Sequence, residues 1–162
     1  MVSIRALFVL GVLVAVGMSG LAAERRTLAE FLAHVRADRP SVKWDVKSQV
    51  SGDFDGEGRT DFAALGYVGK GVVVAIGRTS ATGEIRLQYL HFDVSRAAQA
   101  AICVLPARLE LLPLSCAVNH GGALPGCKEG PGVSSLRLMD DECDSINIYW
   151  NRDRNSMSWW RN

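Results

Sequence analysis

Apolar residues in the middle of the chain recur at period two or run together, and they predict a sheet. Segments 61–68 and 71–78 are dense in Val, Ile, Leu and Ala, and Gly69-Lys70 between them reads as a two-residue hairpin turn. Val72, Val73, Val74 and Ile76 are β-branched and almost uninterrupted, which predicts a central strand buried on both faces. Two flanking segments alternate, 41–50 through Val42, Trp44 and Val46, and 84–94 through Ile85, Leu87 and Tyr89.

Ahead of the strands the period changes to that of a helix. Leu28, Phe31, Leu32 and Val35 fall at i, i+3, i+4 and i+7, and Thr27 with Glu30 forms a capping box. Pro40 disfavours helix at the residue before it, so the helix should end near Asp38 and cover one face of the sheet. His34 lies beside the apolar stripe and reads as a surface residue; His91, near a strand end, reads as structural.

Beyond residue 94 the pattern weakens. Segment 95–101 suits a short helical turn. Segments 102–105 and 109–114 are cut by Pro106 and Pro113, which keeps them at a sheet edge or out of the sheet. Segment 119–132 is rich in Gly and Pro and reads as one long loop carrying His120. A short strand at 136–139 precedes a terminal hairpin, 146–151 and 156–161, that turns across residues 152–155. Ile146, Ile148 and Trp150 share one face of it and Tyr149 lies on the other. Trp159 and Trp160 point to opposite faces, which makes Tyr149, Trp159 and Trp160 a candidate partner surface. The expected fold class is α+β: an antiparallel, mostly hairpin-connected β-sheet with one N-terminal covering helix, stapled by disulfides.

The first 23 residues change the picture of where this fold works. Arg5, the apolar run 6–18 and the small residues 19–23 have the layout of a secretory signal peptide. The apolar core is shorter than the about 20 residues of a membrane span, and no cysteine follows for lipid attachment. The expectation is an exported chain, periplasmic or secreted, with no membrane anchor after signal removal and a single globular domain over 24–162. The sequence holds 18 Lys and Arg against 17 Asp and Glu, and removing Arg5 leaves 17 against 17. Without a basic run there is no footprint for nucleic acid. Cys103, Cys116, Cys127 and Cys143 then read as two disulfides. Three pairings are open; joining neighbouring elements favours Cys103–Cys116 with Cys127–Cys143.

The candidate chemistry lies in Asp53-Phe54-Asp55-Gly56-Glu57-Gly58-Arg59-Thr60-Asp61. Side-chain oxygens stand at positions 1, 3, 5 and 9, two glycines permit a tight turn, and Arg59 at position 7 offers its carbonyl. Oxygens at every second residue of a tight loop can converge on a hard cation, which takes about six to eight of them. The stretch resembles the calcium loop of FG-GAP/VCBS-type repeats, G-D-F-[ND]-G-D-G-x-x-D followed by a strand. The resemblance covers residues 52–65, in single copy, and implies bound Ca2+ with Asp53, Asp55, Glu57, Arg59 and Asp61 as the metal site. Glu57 departs from the pattern, where the family has Asp. One copy is too few for a propeller, which takes about four blades or more. Asp140, Asp141, Glu142 and Asp144 form a second acidic group, read as a charged turn.

No G-x-S-x-G or H-E-x-x-H motif is present, and disulfide formation would remove any thiol nucleophile. The expectation is therefore an exported non-enzymatic binding or structural module with one calcium loop. The alternative is an inhibitor or immunity-type protein acting on an envelope hydrolase. The partner in either reading is an envelope protein or a glycan.

Overall fold

Strand β3 (Gly71–Thr79) is the axis of the molecule, with six consecutive residues buried, as its β-branched run predicts. The computed structural model describes residues 28–118 and 122–161. Helix α1 (28–38) leads into β1 (Lys43–Gly52), β2 (Asp61–Val68), β3, β4 (Ile85–Val94) and β5 (Ala101–Ile102), which form one sheet in that order. The β2–β3 hairpin pairs Val68 with Gly71, so its loop is Gly69-Lys70, with Gly69 at φ 57°. Only β5 runs parallel to its neighbour.

The remaining chain builds a second sheet. Strands β6 (Arg108–Pro113), β9 (Ser134–Met139), β10 (Ile146–Asn151) and β11 (Ser156–Arg161) lie in the order β11-β10-β9-β6. The single sheet expected from the pattern is thus two, packed face to face. Leu65, Val74, Ile76 and Phe92 of the first sheet share one apolar core with Leu136, Leu138, Ile146 and Ile148 of the second. Hydrogen bonds between Gln88 and the Met157 backbone tie β4 to β11.

The helix covers the outer face of the first sheet, as its period predicts. Phe31 and Val35 are fully buried, and the Phe31 ring stacks on Phe62 at 5.9 Å. Complete burial of such side chains contributes about 1.5–3 kcal/mol each. Gly77 lets the helix come this close, because a Cβ there would stand 2.6 Å from the Phe31 ring. His34 and His91 are exposed. Thr27, the segment 1–23 read as a signal peptide, and His120 lie outside the described residues.

Two local expectations are corrected. The alternation Val42, Trp44, Val46 breaks at a bulge between Asp45 and Val50, leaving Val46 half exposed. Ser48 organises the bulge: its hydroxyl donates to Asp45 O and accepts from Leu65 N, replacing a ladder bond. The loop at 119–132 is also not featureless. Strand β8 (Gly122–Ala123), inside it, pairs with β7 (Ala117–Val118) just before it, and the Cys116–Cys127 disulfide clamps its first part.

The disulfides are nested, Cys103 with Cys143 and Cys116 with Cys127, and not the expected Cys103–Cys116 with Cys127–Cys143. Pairing of β6 with β9 sets the turn after Met139 beside residue 103. Leu114 N meets Val133 O, so residues 115–132 form one excursion that contains both Cys116 and Cys127. Two disulfides fit an oxidising compartment. Among the described residues no helix is long and apolar enough to cross a membrane.

Candidate metal centre

The connection between β1 and β2 opens at the paired residues Gly52 and Asp61. Asp61, as the first residue of β2, is fixed by the sheet, whereas Asp53 and Asp55 come from the turn. Phe54 between them is fully buried in the inter-sheet core and anchors the turn. Gly56 and Gly58 both adopt φ 75°, a conformation glycine reaches without steric cost. The carboxylates of Asp53, Asp55 and Asp61 converge, with one oxygen from each lying within 4.8 Å of the others.

Backbone amides hold all three in place. Asp53 Oδ1 accepts from Gly56 N at 2.7 Å and Oδ2 from Gly58 N at 2.8 Å. Asp55 Oδ1 accepts from Glu57 N. Asp61 Oδ1 accepts from Thr79 N at 2.8 Å and Oδ2 from Phe54 N at 3.0 Å. Asp61 is 1% exposed, and burial pushes its carboxyl up from 3.8 to about 6 against these two hydrogen bonds, with the charges of Asp55 and Asp53 adding to the rise.

Cations of the protein flank the group on one side. Arg78 Nη1 stands 3.0 Å from Asp55 Oδ2 while its guanidinium lies 3.8 Å over the Trp150 ring. Arg152 donates to Asp55 O at 2.9 Å. Arg78 neutralises one of the three charges, and the Asp53 and Asp61 side keeps acceptor capacity. A carboxylate offers about four lone-pair sites, and Asp61 spends two of them on amides. The donor set is all oxygen, which suits a hard cation rather than a soft metal.

Glu57 does not join the cluster. It is exposed, and its carboxylate pairs with the Arg59 guanidinium, whose Nε donates to Thr79 O. The extra methylene carries its carboxylate outward, toward a cation two residues on. Arg78 and Arg152 reach Asp55 from 23 and 97 residues away, and no local sequence signal marks them.

The second acidic group is structural. Asp140 is buried and accepts from the amides of Cys103, Val104, Glu142 and Cys143. Burial raises its carboxyl, but the four amide donors outweigh this and hold it below the ordinary value. Asp141 and Glu142 pair with Arg108 and Arg96. The expected aromatic platform is also divided. Tyr149 is buried with its hydroxyl donating to Pro125 O, and Trp159 packs edge-on against Phe92 at 6.0 Å. Trp160 stands on the opposite face of β11, paired with Asn147.

Comparison with protein-family models, with curated proteins and with solved structures returned no match.

Proposed function

We propose that the chain is an exported, non-enzymatic binding or structural module whose 53–61 loop takes up Ca2+. The convergence of the Asp53, Asp55 and Asp61 carboxylates in a glycine-formed turn carries this reading. The resemblance of residues 52–65 to an FG-GAP/VCBS-type loop supports it. So does the elevated carboxyl of Asp61, which burial first and the charges of Asp55 and Asp53 after it hold above the ordinary value, so that a counter-charge would relieve it. Asp53, Asp55 and Asp61 would hold the ion, and its role there is to neutralise charge and fix the turn.

The test is a thermal melt in EDTA and then in millimolar Ca2+, beside Asp55→Asn, which keeps the size of the side chain and removes its charge. A site with a Kd one hundredth of the Ca2+ concentration adds about 2.7 kcal/mol of stability. The melting temperature of the wild type rises and that of the variant does not. Superimposable wild-type melts in the two buffers would refute calcium binding.

A further inference from the structure

On the side of the second sheet away from the core, a cavity of about 210 Å³ lies between β9–β11 and the excursion closed by Cys116–Cys127. Among the described residues that line it, Arg137 alone is charged. Arg137 Nε is buried without a hydrogen-bond partner, and among the described residues Arg137 makes no ion pair. A buried guanidinium N–H with no partner is costly unless an acceptor meets it, and on a cation that acceptor is best an anion.

Strand register places the surrounding chemistry in a line. Arg137 of β9 pairs with Asn147 of β10, and Asn147 pairs with Trp160 of β11, so all three share one face. Two strand spacings of about 4.8 Å separate Arg137 from Trp160. Ser135 and Ser145 add hydroxyls to the lining, and the half-buried Trp160 adds an aromatic wall. A planar guanidinium at one end, an aromatic ring at the other and an amide between them match a sugar ring that bears a carboxylate. The volume lies below the roughly 300 Å³ at which drug-sized pockets begin, which limits the occupant to one ring.

We infer that this cavity binds a single sugar acid of the uronate class, its carboxylate on Arg137, its hydroxyls on Asn147 and the serines, and its ring against Trp160. The inference is independent of the metal loop, which belongs to another part of the fold. Glu110 of β6 stands across from Arg137 on the same face without pairing to it, and it supplies the control.

Glucuronate titrated into the oxidised protein, followed by calorimetry and by ¹⁵N NMR, should bind and shift the Asn147 side-chain amide and the Trp160 indole resonances. Arg137→Gln should weaken binding about tenfold or more, the worth of a hydrogen bond to a charged group. Glu110→Gln should bind as well as or better than the wild type. Should R137Q not fold, Arg137→Lys asks the same question, because it keeps the charge and loses the bidentate fork. Glucose binding as tightly as glucuronate would overturn the inference. So would sulfate matching glucuronate, or a folded R137Q that retains full affinity.

Discussion

Asp61 offers the sharpest physical test, because burial and charge act on one carboxyl in a known direction. Its folded value of about 6 lies above the ordinary 3.8. Between those values the native state binds more protons than the unfolded chain, so stability falls as pH rises through this window. Below it both states are protonated and nothing is lost; above about pH 7 the penalty is complete. Roughly two pH units at about 1.4 kcal/mol each give about 3 kcal/mol, or about 10 °C in melting temperature for a domain of this size.

Other carboxylates titrate in the same range, so the measurement is a difference. Urea denaturation in EDTA at intervals from pH 4 to pH 7 is compared for the wild type and Asp61→Asn. The variant cannot accept both the Thr79 and Phe54 amides, which costs it a hydrogen bond's worth, about 1 kcal/mol, at every pH. That offset is flat. The slope belongs to the wild type, which should lose about 2 kcal/mol relative to the variant between pH 4 and pH 6, the part of the total that titrates in that interval. Saturating Ca2+ should remove the slope, because a cation against the carboxylate favours its charged form. A flat difference curve in EDTA would sink the account, since it would mean that the carboxylate ionises inside the protein at no cost.

Further outcomes follow from single contacts. Gly77→Ala should cost about 1–3 kcal/mol in chemical denaturation, because the new methyl meets the fully buried Phe31 ring and Ile85; an unchanged midpoint would show that the helix has room to shift. Asp140→Asn should destabilise at neutral pH by about 1–3 kcal/mol by disturbing four amide contacts. Because the Asp140 carboxyl is held low, this contribution is present above the unfolded value near 4 and lost as pH falls below it, so the two proteins should converge in acid. Replacing Cys103 and Cys143 together by Ser should cost about 4 kcal/mol, and replacing Cys116 and Cys127 about 3 kcal/mol, in the order of the loops they close; a reversed order would place the stabilisation in native contacts instead.

What the sequence discloses and what it hides divide along sequence distance. The helix, the β2–β3 hairpin and the β10–β11 hairpin are local, and apolar period plus turn residues locate them closely. The separation into two sheets is not local. It depends on β6 pairing with β9 across the excursion at 115–132, and nothing in the apolar pattern of 109–114 says which strand will receive it. The disulfide pairing fails for the same reason, since it follows that non-local register. The bulge in β1 is hidden because a serine hydroxyl replaces a ladder bond, and period alone cannot register such a substitution. In the loop, the Asp spacing and the glycines convey the three convergent carboxylates. They do not convey that Glu57 pairs with Arg59, or that Arg78 at the end of β3 and Arg152 in the β10–β11 turn close on Asp55.

Those distant contacts decide how far an event in the loop can reach. Asp53 O accepts from Ser134 N at 2.7 Å, so the turn is bonded to β9 of the second sheet. Arg152, in the β10–β11 turn, donates to Asp55 O. Gly52, at the end of β1, lies against Leu111 and Ser134, where a Cβ would stand 3.0 Å from each side chain. The loop therefore sits on the seam where one edge of the first sheet meets the second, and Phe54 enters the core that both sheets share. A charge change at Asp53, Asp55 or Asp61 acts on contacts that hold the two sheets together. Unfolding of the loop alone would break these bonds, so the loop and the sandwich should melt as one unit. A cation bound there would accordingly raise the stability of the whole domain and not only quiet a surface turn.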